Sequence, residues 1–129
     1  MDPRAKIAAA WAATMFIFAY VDLFAFYRAD FRAEVESGTV AGFDIGPGFL
    51  MFTTVYVMLP SLMVYLSVVL PRQSSRFLNL VLPVLYAASI VVAARGEWAY
   101  FLLGSAVEIA LLAAIVVHAW KWRPTTEPR

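Results

Sequence analysis

Four apolar stretches, each close to the length of a membrane crossing, constrain this chain more than any other feature. They span about residues 5–27, 48–70, 77–94 and 98–120. A helix needs roughly 20 mainly apolar residues to cross about 30 Å of hydrocarbon. The second and fourth stretches are the clearest. The third has only 18 residues and is expected to cross with little tilt. Arg4 and Lys6 precede the first, as in a signal peptide, but its apolar run is too long for one. Asp22, Phe24 and Phe26 also make a poor cleavage site. It reads as a retained helix.

Strands are unsuited to these stretches. None shows sustained alternation, and an open sheet in lipid would leave its edge groups without partners. The links at 71–76 and 95–97 are short and force antiparallel neighbours. The expected fold is all-α: an integral membrane four-helix up-down-up-down bundle, one transmembrane domain over residues 1–129. Composition agrees. Apolar residues make up 63% of the 129 and charged residues 15%, against about 45–50% and about 25% in soluble domains. A net charge of +1, with no basic run or Arg–aromatic interleaving, argues against nucleic acid. The absence of cysteine excludes disulfides, thiol chemistry and Cys-ligated zinc. The single His118 cannot build a multi-histidine metal cage, so no metal or cofactor is expected.

Orientation follows from the Lys and Arg balance. Arg4, Lys6, Arg72, Arg76, Lys121, Arg123 and Arg129 fall on one side, and Arg28, Arg32 and Arg95 on the other. Seven against three puts both termini in the cytoplasm. Trp98 and Trp120 bracket the fourth helix as interfacial anchors, and Trp11 is expected to act likewise. The one substantial loop, 28–47, then lies outside. Residues 30–36 suit a short helix with Phe31 and Val35 four apart, stopped by Ser37-Gly38. Val40 to Ile45 would return to the membrane. The loop reads as an interfacial connector or, less favoured, as a lid over a cavity.

Charge at membrane depth costs roughly 2.5–3.5 kcal/mol for an Asp at a helix centre. Glu108 lies near the middle of the fourth stretch. It should face the bundle interior, protonated or hydrogen-bonded, because hydrocarbon disfavours the ionised form. Asp22 lies roughly 9 Å outward of the middle of the first helix at 1.5 Å per residue, with Arg95 or Arg28 as candidate partners. Thr54, Met58, Ser61 and Tyr65 share one helical face, as do Asn79, Pro83, Tyr86 and Ser89, and Gly104, Ser105 and Glu108. Matching depths suggest an inward polar column of Ser61, Tyr65, Asn79, Tyr86 and Glu108, with Asp22 guarding the outer end. Pro60 removes its own N–H and frees the carbonyl of Tyr56. That carbonyl needs a partner, Ser61 lies beside it, and a kink is expected. Pro83 offers a second kink, and two kinked helices can open a cavity. Against this, buried Ser, Thr, Asn and Tyr often only join helices, at about 0.6 kcal/mol each. Gly104 and Ser105 could simply permit close approach.

The pattern has a familiar counterpart. Tyr20-Val21-Asp22-Leu23-Phe24 ends helix one, and an acidic loop with Gly38 and Gly42-Phe43 follows. Then come Pro60-Ser61-Leu62-Met63, the run Leu66-Ser67-Val68-Val69-Leu70-Pro71-Arg72, Arg76, Asn79, Glu108 and the closing Ala119-Trp120-Lys121-Trp122. This resembles an uncharacterised family of small bacterial four-helix integral membrane proteins, a domain of unknown function. The resemblance implies four spans and a membrane location and brings no activity; the expected location is the inner membrane, crossed several times. Small multidrug-resistance transporters have a similar size, but their acidic residue lies in helix one, whereas the central carboxyl here is in helix four.

Three functions rank in order. The first is binding of an apolar or cationic ligand, or proton conduction, at a polar cavity around Glu108. The second is a structural or accessory subunit of a homo-oligomer or larger membrane complex. The third is an enzyme acting on lipid. It ranks last because one central carboxyl, one peripheral His and no Cys offer little chemistry beyond a proton transfer between Glu108 and Tyr86.

Overall fold

In the computed structural model, residues 2–124 are described; Arg129, counted above among the cytoplasmic cations, lies outside them. The described chain holds five helices and one small hairpin: α1 (Pro3–Ala25), α2 (Ala29–Glu36), β1 (Thr39–Val40), β2 (Phe43–Asp44), α3 (Pro47–Val69), α4 (Arg72–Ala93) and α5 (Ala99–Lys121). Four of these, α1, α3, α4 and α5, are long and apolar enough to cross a membrane, with mean hydropathy between 1.8 and 2.3. Only 11 to 28% of each apolar window is buried within the chain. Phe16, Phe52, Leu103 and Val92 are each more than 60% exposed. Contiguous apolar surface on that scale is foreign to a water-soluble monomer.

Local chemistry sets the helix ends. Asp2 caps α1, accepting the Arg4 amide at 3.1 Å, and Pro3 takes the first helical position, where a missing N–H costs nothing. Leu70, extended before Pro71, divides α3 from α4, as the restriction on a residue preceding proline requires. Helix α4 begins at Arg72, five residues earlier than its hydropathy suggests, because Arg72, Gln73, Ser74, Ser75 and Arg76 form a polar first turn. The loop is more ordered than a plain connector. Residues 39–44 build a hairpin that pairs Thr39 with Asp44 and Val40 with Phe43. Its two central residues, Ala41 and Gly42, both have positive φ (50° and 84°), the type I′ pattern that matches strand twist. Glu34 holds the strained Ala41 by accepting its amide at 2.7 Å.

Helix α1 packs against α3 and α5, and α5 also against α4; the consecutive pair α3 and α4 meets far less. The core is built from Ile7, Trp11, Met63, Ile90, Leu112, Ile115 and Ala119. At Gly104 of α5 a side chain of α1 comes close: a Cβ there would lie 2.6 Å from Val21 Cγ2.

Arginines satisfy the helix ends that have no intrahelical partners. Arg4 donates to the carbonyls of Ser67, Val68 and Leu70 at 3.2, 3.2 and 2.7 Å, closing α3. Arg76 donates to Ala119 and Trp120, and Arg72 to Trp122, closing α5. A cation at a helix C-terminus also complements the helix dipole. Arg4 lies over the Trp122 ring and Arg76 over that of Trp120. Near the other ends, Arg28 lies 3.9 Å from the Trp98 ring centroid and pairs with Asp30 at 2.8 Å and Glu97 at 3.0 Å. Hydrogen bonding to Asp30, then to Tyr100, holds the Arg28 guanidinium charged even more firmly than usual. The same bond holds the Asp30 carboxyl below its ordinary value.

Candidate functional site

The proline of α3 organises the middle of the chain. Pro60 leaves the Tyr56 carbonyl without its helical donor, and the donor that replaces it is the Tyr86 hydroxyl of α4, at 2.8 Å. The return contact runs from α3. The Tyr56 hydroxyl and Ser89 Oγ are 2.5 Å apart, and Ser89 Oγ donates to the Tyr86 carbonyl at 2.7 Å. With its one proton so used, Ser89 accepts from Tyr56. The two tyrosine rings stack obliquely at 4.7 Å, Trp11 meets Tyr86 edge-on, and Phe18 stacks on Tyr56. This reciprocal clasp joins two helices that otherwise touch little. The need for a partner at Tyr56 follows from the sequence; its identity does not, and Ser61 is not it.

Asn79 forms a separate node. Trp11 Nε1 donates to its Oδ1 at 2.6 Å, and its Nδ2 donates to Ser67 Oγ at 3.1 Å and to the Ser75 carbonyl at 2.9 Å. Trp11, Ser67, Ser75 and Asn79 are all fully buried. Trp11 is therefore no interfacial anchor. Its ring fills the core, and burial obliges its N–H to find an acceptor.

Glu108 is 5% exposed, one turn from the close approach at Gly104. It accepts no hydrogen bond from any described residue. Among the described residues, Arg72 Nε is the only enclosed side-chain polar atom without a partner. The unpartnered Glu108 carboxyl is thus not wholly enclosed. Gly104, one turn before Glu108, faces Val21 of α1, the sequence neighbour of Asp22. Asp22 lines an open groove of about 640 Å³ between α1 and α3. Neither expected partner reaches it. Arg28 is committed to Asp30 and Glu97, and Asp22 has no ion pair among the described residues. Ser61 lines the same groove, its hydroxyl donating to the Val57 carbonyl at 2.7 Å.

The inward column of Ser61, Tyr65, Asn79, Tyr86 and Glu108 does not form as one site. Asn79 sits in its own node, Tyr86 in the proline clasp, Ser61 in the groove and Glu108 inside the bundle. Tyr65 is 65% exposed on the outside of α3. The physical reason is local. Thr54 and Ser61 return their protons to carbonyls four residues back in their own helix, so their polarity does not require a neighbour. The buried face of α3 is instead Pro60, Met63 and Ser67. Two features escaped the sequence reading. One is the hydroxyl of Tyr56, which joins α4 at Ser89. The other is the stripe Ala12, Met15, Ala19, Asp22 on α1, whose small residues at helical spacing leave room for the groove. No group of three or more His, Cys, Asp or Glu able to hold a metal ion occurs among the described residues.

No curated protein and no solved structure matches this chain. A family model does, from residue 3 to residue 127, a stretch that contains all four apolar helices, the loop hairpin, Asp22, the Pro60 clasp and Glu108. The chain therefore belongs to this family of unknown function, DUF6326.

Proposed function

We propose that this is a multi-pass protein of the bacterial inner membrane that binds a ligand at an intramembrane carboxyl pair, Asp22 and Glu108, and exchanges a proton there. One observation carries the reading. A nearly buried carboxyl without any hydrogen-bond partner lies one turn from the contact of Gly104 with Val21, and the residue after Val21 is a second carboxyl, exposed and unpaired along an apolar groove. Ionisable groups at membrane depth are costly, and retention of two calls for a use. In this reading the four spans run up-down-up-down with both termini cytoplasmic. The seven-to-three cation balance supports that. So do the arginine caps, which gather the start of α1, the end of α3, the start of α4 and the end of α5. The test is proton-coupled flux and ligand binding in liposomes with Glu108→Gln and Glu108→Leu. Loss of proton exchange in both is expected; wild-type behaviour in both removes the proposal.

A second reading, a homo-oligomer assembled through α3, has its own support. Only 11% of the α3 window is buried within the chain, the lowest of the four, and Tyr65 projects from its outer face. The mass of the particle extracted in mild detergent decides it: a monomer counts against.

A further inference from the structure

The groove between α1 and α3 narrows the ligand class, an inference that rests on the carboxyl-pair reading and deepens it. We propose that this groove holds an amphiphilic cation, an ammonium-like or phosphonium-like head on a bulky apolar body, with Asp22 as its anchor. Its volume of about 640 Å³ lies within the roughly 300–1,000 Å³ of small-molecule sites. From Ala12 to Asp22 it runs about 15 Å along α1 at 1.5 Å per residue.

The lining specifies both ends of such a molecule. Ala12 and Ala19 leave the space, while Met15, Val57 and Val64 supply apolar walls. Phe16 and Phe18 add aromatic rings to the lining, a group that attracts a nearby cation. Two polar side chains line it. Asp22 carries the only formal charge, and no cation among the described residues neutralises it. Ser61 has already given its proton to the Val57 carbonyl, so toward the groove it offers lone pairs, which accept from an N–H and repel an anion. An unpaired carboxylate on an apolar wall is costly until a counter-charge arrives, and the charge it lacks is positive.

Glu108 adds a consequence. A cation beside Asp22 favours ionisation of the neighbouring carboxyl. Entry of one monovalent cation therefore releases up to one proton from the pair, and charge is balanced.

The experiment uses the purified full chain in phosphatidylcholine nanodiscs with tetraphenylphosphonium as the probe. Tetraphenylborate, of the same shape and opposite charge, is the control. Saturable binding of the phosphonium and none of the borate is expected. Asp22→Asn should weaken phosphonium binding at least tenfold. Ala19→Leu, which fills the groove without touching charge, should weaken it comparably, and serves also if the Asp22 variant fails to fold. Glu108→Gln should abolish the proton released into weakly buffered medium. Equal affinity for both ions, or undiminished binding in Asp22→Asn and Ala19→Leu, overturns the cation site. So does a crosslink showing the groove covered by a second copy of the chain. Loss of proton release with binding intact in the wild type would instead overturn the carboxyl-pair reading and leave the cation site standing.

Discussion

Replacing Tyr86 with Phe removes one oxygen and keeps the ring, so its effect can be worked from the clasp. The hydroxyl donates to the Tyr56 carbonyl at 2.8 Å, the group that Pro60 deprives of its helical donor. A typical hydrogen bond contributes about 0.5–1.5 kcal/mol net, and an orphaned buried acceptor costs about 1–3 kcal/mol. Partners found in the unfolded, membrane-inserted state reduce such values, which average about 0.6 kcal/mol between transmembrane helices. Tyr86→Phe should therefore cost about 1–2 kcal/mol, above that average because no other donor serves the carbonyl. In a Pro60→Ala background the helix restores its own N–H to Tyr56, and the same change should cost less than about 0.6 kcal/mol. The difference, a coupling of about 1 kcal/mol, is read from a double-mutant cycle. Reversible unfolding in mixed micelles, followed by helix content, measures it. An equal cost in both backgrounds would refute the assignment of Tyr86 as the replacement donor.

Other consequences follow from single contacts. Asn79→Leu leaves the Trp11 N–H without its acceptor and should destabilise by about 2 kcal/mol in the same unfolding assay, with Trp11 fluorescence shifting. Gly104→Ala places a Cβ 2.6 Å from Val21 Cγ2 and should cost about 1–3 kcal/mol by overpacking; Val21→Ala should recover most of that loss, as unfolding midpoints would show. The Arg28–Asp30 pair should anchor α2 in a pH-dependent way. Because Arg28 lowers the folded pKa of Asp30 below 3.8, its contribution is complete above that value and is lost as pH falls through the lower folded one. Hydrogen exchange over residues 28–36 should thus be faster in Asp30→Asn than in wild type at neutral pH, and the two should converge in acid.

The spans were legible because hydropathy over some twenty residues is a property of composition, independent of packing. Their ends were less so. The first turn of α4 is polar, and the window that finds a crossing passes over it. The short helix after Arg28 was readable from Phe31, Val35 and the Ser37-Gly38 stop. The hairpin was not, since Ala41 takes a positive φ that its residue type disfavours, and Glu34, which accepts from its amide, lies seven residues away. Membrane depth marked Glu108 as interior, and it is buried. Helical spacing correctly grouped Thr54, Ser61 and Tyr65, yet could not say which way that face points, because hydroxyls that bond their own backbone are indifferent to neighbours. Trp11 misled for the opposite reason. Its position suited an interfacial ring, and only the tertiary arrangement supplies the acceptor at Asn79 that lets it be buried.

A lipid-soluble carbodiimide, which reacts with protonated carboxyls, followed by peptide mass analysis tests the account at its centre. Glu108 should be labelled from the bilayer, a water-soluble carbodiimide should fail to label it, and tetraphenylphosphonium should slow the reaction by drawing off the proton. A Glu108 that resists the lipid-soluble reagent, or that reacts equally with the water-soluble one, would contradict an intramembrane, proton-exchanging carboxyl pair.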